Sequence, residues 1–407
     1  MIIYFAGTPY DGVAGTDRQL AERLGDMHPV LYVDPPVSLL TPLLRPHLAS
    51  AFRGSSLRRE ADGVWRIRPR VLPAMYRPGM HHVTAMLVRR AARRTARRLA
   101  RRVGGAAGGG DGAGVGGGVA GVVVATHSDL LDAVKGTRTV LYVTDDLVAG
   151  SELIGLPRQR VAAARDSMAA RASAIAVCSP LLRDQFRERG FETTLVPNGC
   201  APEAYAAIED EAWPRDVPRF DRPAVGFAGH INARIDLGLL EAIADAGHPL
   251  VLIGPHDPGH HPVRFRALIG RPNVYWAGRR SFAELPAYLR TIRVGLTPYL
   301  LDDFNRASFP IKTLDYLAAG RAVVSTDLPA TRWLRDFPDG RELIRSESTP
   351  RGFLRAVEEE LAAEPTPELV ARRRAYAAGH DWGCRARQLA RLVHCDPVSP
   401  ALEEPAP

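Results

Sequence analysis

Short apolar runs recur along the chain: "MIIYFAG", "VLYVDPP", "GVVVATHS", "TVLYVTDD", "AIAVCS" and "TTLVPNG" in the first half, then "AVGFAGH", "LVLIGP", "NVYWAG", "VGLTPY" and "AVVSTD" in the second. Several are continuous rather than alternating, the pattern of parallel strands buried on both faces. Between them the spacing predicts helices over Asp17–Asp26, Arg158–Ala172, Pro180–Gly190, Leu237–Ala246, Glu284–Arg290 and Phe309–Ala319. Strand, helix, strand is the repeating unit of a doubly wound α/β sheet, and the series occurs twice. Around 203–222 the periodicity lapses and prolines and acidic residues collect. The chain therefore reads as two Rossmann-like domains, 1–205 and 218–380. A helix over 381–395 and a proline-rich tail over 396–407, expected to be disordered, complete it.

At 407 residues, 46% hydrophobic and 24% charged, the chain can bury two cores. It has no run of about 18 apolar residues and no signal-peptide pattern at its start, so the expected compartment is the cytoplasm. Cys178, Cys200, Cys384 and Cys395 lack C-x-x-C spacing, which favours reduced thiols over a metal site or a disulfide framework. The formal net charge of +8 admits nucleic acid, anionic lipid or phosphorylated ligands, and its location decides among them.

Much of that charge lies in "VRRAARRTARRLARRV", Val88–Val103. Helical spacing puts Val88, Ala92, Ala96, Leu99 and Val103 on one narrow side and eight arginines over the rest. The simplest reading is a solvated basic face. The sharper one is contact with an anionic membrane surface, or with the pyrophosphate of a lipid-linked acceptor, peripherally at the inner face of the plasma membrane. No aromatic residues interleave with the arginines, which argues against nucleic acid. The glycine-rich segment 104–121 reads as a flexible surface loop; it precedes a strand instead of joining a strand to a helix, unlike a phosphate-binding loop.

Lysine is nearly absent: 51 of the 53 basic residues are arginine, and the two lysines are Lys135 and Lys312. Lys312 falls in "FNRASFPIKTLDYLAAG", in the first turn of a predicted helix with Ser308 as N-cap, Pro310 in the first turn and Gly320 after its end. A helix start at the carboxyl edge of a parallel sheet offers free N–H groups and partial positive charge to phosphate. Asp315, three residues on, shares the face of Lys312. A cation for a pyrophosphate beside a carboxylate for vicinal ribose hydroxyls suits a nucleoside diphosphate. The bland alternative is a surface ion pair worth a few tenths of a kcal/mol.

The stretch "FPIKTLDYLAAGRAVVSTDLP" resembles the donor-binding helix and following strand of retaining glycosyltransferases of the GT-B fold, particularly family 4 and its bacterial polysaccharide and natural-product members. "GFAGHINARIDLGLLEAI", "LVLIGP", "NVYWAGRRSFAELPAYLRTIRVGLTPY", Ser179 and "VPNG" agree in order. The resemblance implies two Rossmann-like doubly wound domains facing across a cleft. It further implies that donor would bind mainly to the second domain and acceptor to the first. It makes Lys312 the pyrophosphate lysine and puts Asp315 where the family has a ribose-binding glutamate. It also places a phosphate-binding arginine in the loop that holds Arg234. The family's earlier acidic residue falls on Ala307, leaving Asp302, Asp303 and Asn305 as nearby substitutes.

Other candidates sit at strand ends. Gly229 permits close approach of backbone to phosphate, and Gly254 and Gly278 mark where a nucleobase would lodge. Gly7, Gly12 and Gly15 fall in the first strand-to-helix loop without G-x-G-x-x-G spacing. His127, at the end of a strand, reads either as a group that orients a sugar hydroxyl or takes a proton from an acceptor, or as a merely solvated loop histidine. The lone pair Asp145–Asp146 is a weak metal signal, and Lys312 with a helix terminus would make a cation unnecessary.

The expected activity is transfer of a hexose-type sugar from a nucleoside diphosphate to a saccharide, lipid-linked or small-molecule acceptor, with retention, without metal and without a separate cofactor. Its setting is cell-envelope polysaccharide, glycolipid or secondary-metabolite biosynthesis. The alternatives are a nucleotide-sugar epimerase of the same fold and a non-catalytic sugar-nucleotide-binding partner.

Overall fold

A computed structural model describes residues 1–12, 14–39, 57–73, 79–152 and 155–394, except 105–117. Most of the glycine-rich segment and the whole tail lie outside the described residues. Two compact units are present. Among the described residues, unit 1 comprises Met1–Cys178, Leu182–Val196 and 383–394, and unit 2 comprises Ser179–Leu181 and Pro197–Trp382.

Unit 1 contains β1 (Ile2–Phe5), β2 (Val30–Val33), β3 (Val37–Ser38), β4 (Leu57–Ala61), β5 (Val64–Ile67), β6 (Arg70–Val71), β7 (Gly121–Val124), β8 (Arg138–Val143), β9 (Ala174–Val177) and β10 (Thr194–Leu195). Its main sheet runs β10-β9-β8-β7-β1-β2-β5-β4, while β3 pairs with β6. All of its pairs are parallel except β4 with β5. The continuous apolar runs are fully buried in β1, β2 and β7, as two-sided burial requires. The helix Trp382–His394 belongs to this unit: Arg138 Nε donates to Leu392 O at 2.6 Å, and a side chain at Gly121 would meet Val393 at 2.4 Å.

Unit 2 contains β11 (Ala224–Ala228), β12 (Leu250–Ile253), β13 (Val274–Gly278), β14 (Ile292–Thr297), β15 (Ala322–Thr326) and β16 (Ile344–Glu347), all parallel. Their order, β13-β12-β11-β14-β15-β16, builds outward from β11 in one direction and then from β14 in the other. The switch point therefore lies between β11 and β14, where open α/β sheets open a crevice at the carboxyl edge.

The helix bearing Lys312 runs Ile311–Ala318, two residues later at its start than the sequence predicts. Pro310 disfavours the helical conformation for Phe309 and itself occupies the N-cap position. Ser308 is not the cap; it ends a short helix, Asp303–Ala307, and its hydroxyl donates to Asn305 O at 2.8 Å. Tyr316 anchors the longer helix to the sheet. Its hydroxyl accepts from Ala228 N at 2.8 Å, and its ring fills the space above Gly295, where a Cβ would come within 2.2 Å.

Candidate functional site

At the switch point, the loops leaving β11 and β14 are zipped together. Asp236 N donates to Pro298 O at 2.9 Å, Leu300 N to Arg234 O at 2.9 Å, and Ile235 bridges Tyr299. Arg234 is thereby brought back across the β14 loop. Its Nε donates to Asn305 Oδ1 at 2.9 Å, and its guanidinium lies 4.9 Å from the Phe304 ring centre and 5.4 Å from that of Tyr299. On the other side, Gly229 N donates to Ile253 O and Gly254 N to Gly278 O, both at 2.8 Å. The structure thus joins Gly229, Gly254 and Gly278 into one run along the carboxyl edge. Gly254 has φ +134°, and a Cβ on it would fall 1.9 Å from Gly229 O, so this approach requires glycine.

Beyond the β14 loop, Lys312 Nζ and Asp315 Oδ2 are 3.0 Å apart. The Lys312 side chain is 23% exposed and that of Asp315 only 5%, so the carboxylate is rooted in the fold and the lysine side chain is partly exposed. The buried Tyr205 hydroxyl faces Asp315 without a hydrogen bond of normal geometry. Burial first, then the charge of Asp315, raises its pKa well above the ordinary phenol value.

Two buried side chains fix the segment that enters this helix. Ser179 Oγ donates to Ala307 O at 2.6 Å, and Asn198 Nδ2 donates to Phe309 O at 2.9 Å. These are the serine and asparagine of "AVCSP" and "VPNG", so their sequence signal marks support for the Lys312 helix. Of the substitutes considered for Ala307, Asn305 is fully buried and turned to Arg234. Asp302 caps the short helix by accepting from Asn305 N at 2.7 Å, and Asp303 is exposed.

Unit 1 carries His127, which follows β7 and lines a cavity with Thr126, Tyr142, Asp145, Arg165 and Gln185. Burial lowers its pKa, favouring the neutral imidazole. In the first strand-to-helix loop, the N–H groups of Gly7 and Thr8 donate to Asp17 Oδ2 at 2.9 and 3.0 Å, and Thr8 Oγ1 and Tyr4 OH also bind this carboxylate. Those amides are already satisfied within the protein. Burial raises the pKa of Asp17 even against these hydrogen bonds. Asp146 Oδ1 accepts from Val148 N and Ala149 N, each at 3.0 Å, closing a local turn.

Two Rossmann-like units with a glycine-lined switch point in the second define a GT-B fold. Residues 222–362 match the family described as glycosyl transferases group 1. The chain is 30% identical over 200 residues to the putative teichuronic acid biosynthesis glycosyltransferase TuaH of Bacillus subtilis (strain 168), which covers 49% of this chain and 50% of that protein. It thus spans about half the length of this curated relative. Among solved structures, sucrose-phosphate synthase from Thermosynechococcus elongatus superposes with a TM-score of 0.68 at 16% identity, over 96% of this chain and 97% of that one. Anabaena HepE in complex with UDP and glucose gives 0.64 at 12% over 96% and 98%. WaaG, a glycosyltransferase of lipopolysaccharide biosynthesis, gives 0.62 at 14% over 97% and 99%.

Proposed function

We propose that the protein is a glycosyltransferase that moves a hexose-type sugar from a nucleoside diphosphate to an acceptor hydroxyl in envelope polysaccharide biosynthesis, with retention and without metal. The observation that carries this reading is the Lys312–Asp315 pair at the start of a helix anchored at the β11/β14 switch point. Charge builds on the diphosphate as the glycosidic bond breaks. Lys312, the first amides of the helix and Arg234 would stabilise it where electrostatic catalysis is most effective. Asp315 would take the ribose hydroxyls, and the three glycines would admit the nucleotide close to the backbone. The TuaH and HepE relationships favour a polysaccharide setting and a uridine nucleotide as the first donor to test.

A thermal-shift panel of UDP, GDP, TDP and ADP sugars tests this, followed by calorimetry on Lys312→Ala. Loss of one charge-assisted phosphate contact should weaken donor binding about 10- to 100-fold. Undiminished affinity would contradict the site. Ala307, which removes the family's usual carboxylate, favours a second reading, a non-catalytic nucleotide-sugar binder; donor binding with neither transfer nor hydrolysis is its signature. An isomerised nucleotide sugar from donor alone would identify an epimerase.

We also propose a membrane-surface role for unit 1, from the surface of one helix. In the helix Met80–Gly104, Val88, Ala92, Ala96 and Leu99 are buried, while Arg90, Arg93, Arg94, Arg97, Arg98 and Arg101 are exposed. Leu39 and Leu72, directly after β3 and β6, and Met86 on the helix are exposed apolar residues. Arginines beside exposed apolar side chains suit an anionic bilayer surface. Equal co-sedimentation with neutral and anionic vesicles at low salt would remove this part of the proposal.

A further inference from the structure

We propose that Asn305 is a positioning residue that sets the Arg234 guanidinium and couples it to the segment leading to Lys312; this rests on the nucleotide-sugar reading above. Its side chain is fully buried and hydrogen-bonded in two directions. Oδ1 accepts from Arg234 Nε at 2.9 Å, and Nδ2 donates to Arg234 O at 3.1 Å and to Asp302 Oδ2 at 3.3 Å. One amide therefore holds both the main chain and the side chain of an arginine 71 residues away. Its own main chain is fixed as well: Asn305 N donates to Asp302, and Asn305 O accepts from both Ser308 N and Ser308 Oγ.

From Ser308 the chain passes in two residues to Pro310, the N-cap position of the Lys312 helix. Arg234 and Lys312 are thus tied to a common element, the short helix Asp303–Ala307. The Phe304 and Tyr299 rings flank the guanidinium and restrict its remaining rotations. An arginine whose Nε is already committed presents its terminal nitrogens in a defined direction, which suits bidentate contact with phosphate. A neutral amide can do this without cancelling the positive charge, which an aspartate or glutamate at the same place would do.

The test is calorimetric titration of the full chain with UDP, GDP, TDP and ADP, then a double-mutant cycle with the diphosphate that binds. Arg234→Ala and Asn305→Ala should each weaken binding about tenfold, and the double variant should bind no more weakly than Arg234→Ala alone. A merely structural amide would not show such dependence on Arg234. Because Asn305 is buried, Arg234→Lys supplies a second route that leaves the amide in place. It keeps the charge but lacks the guanidinium Nε, and it should also lose several-fold in affinity. Wild-type affinity in Asn305→Ala or Arg234→Lys, or full additivity in the double variant, overturns the inference while leaving the nucleotide site standing. No binding of any of the four diphosphates by the unaltered protein overturns the nucleotide reading itself, and this inference with it.

Discussion

Replacing Gly295 by alanine perturbs the candidate donor site from beneath. The added Cβ would lie 2.2, 2.4 and 2.5 Å from three atoms of the Tyr316 ring, where ordinary carbon contacts begin near 3.5 Å. The ring cannot simply withdraw, because its hydroxyl accepts from Ala228 N at 2.8 Å and it is fully buried. Relief requires the helix Ile311–Ala318 to shift on the sheet or the hydrogen bond to break. Overpacking of this kind costs about 1–3 kcal/mol, and a lost buried hydrogen bond adds about 1 kcal/mol. For a unit of this size that is roughly 2–16 °C in melting temperature. The same shift carries Lys312 with it, so donor affinity should fall together with stability. Differential scanning calorimetry with and without UDP measures both. The decisive comparison adds Tyr316→Leu, which alone destabilises by opening a cavity but makes room for the new methyl group. In combination with Gly295→Ala it should cost less than the sum of the two single changes. A neutral Gly295→Ala, or strict additivity of the pair, would refute the argument that this contact seats the helix.

Gly254→Ala places a Cβ 1.9 Å from Gly229 O at a backbone φ of +134°; a cost above about 3 kcal/mol is expected, read as loss of the unit 2 transition in urea unfolding. Asp34→Ala removes a fully buried carboxylate bound by Arg66 Nε at 2.7 Å and Arg68 Nε at 2.8 Å, and should cost about 3–5 kcal/mol in the same assay. His127, held by burial below the ordinary value of 6.5, resists protonation in the folded protein more than in the unfolded chain. The unfolded state therefore binds more protons as pH falls through 6.5, and stability drops from there toward the lower folded pKa. The substitution His127→Gln should flatten that part of the stability–pH curve.

Most strands of both sheets were legible because parallel strands covered on both faces need continuous apolar runs, and each such run became a strand; the edge strand β16, with one buried residue in four, was not among them. The β4–β5 hairpin escaped that test: Leu57–Ala61 is largely polar and half-exposed, as an antiparallel edge strand can be. A signal was nevertheless present, since Asp62–Gly63 is a favoured hairpin turn and Gly63 has φ +69°. The Lys312 helix was legible, but its first residue was not, because Ser308 has the chemistry of a cap and spends it on Asn305 O. Lys312 and Asp315 were readable because helical spacing alone pairs them. Asn305 was invisible as a partner of Arg234, since no local pattern links positions 71 residues apart. Ser179 and Asn198 gave a sequence signal whose meaning appeared only when their hydrogen bonds reached residues 307 and 309.

The two cations proposed for the diphosphate enter the reaction differently. Lys312 already has a carboxylate at 3.0 Å, so much of its charge is answered before any ligand arrives. Arg234 is held by a neutral amide and two aromatic faces, none of which cancels its charge. A diphosphate should therefore gain first from Arg234 and the helix amides, and recruit Lys312 as the ribose hydroxyls engage Asp315. That order predicts unequal salt dependence. Raising ionic strength should weaken UDP binding, and Arg234→Ala should flatten this response more than Lys312→Ala does. Equal flattening by the two substitutions would mean that Asp315 does not compensate Lys312 in solution, and the distinction between the cations would then fall.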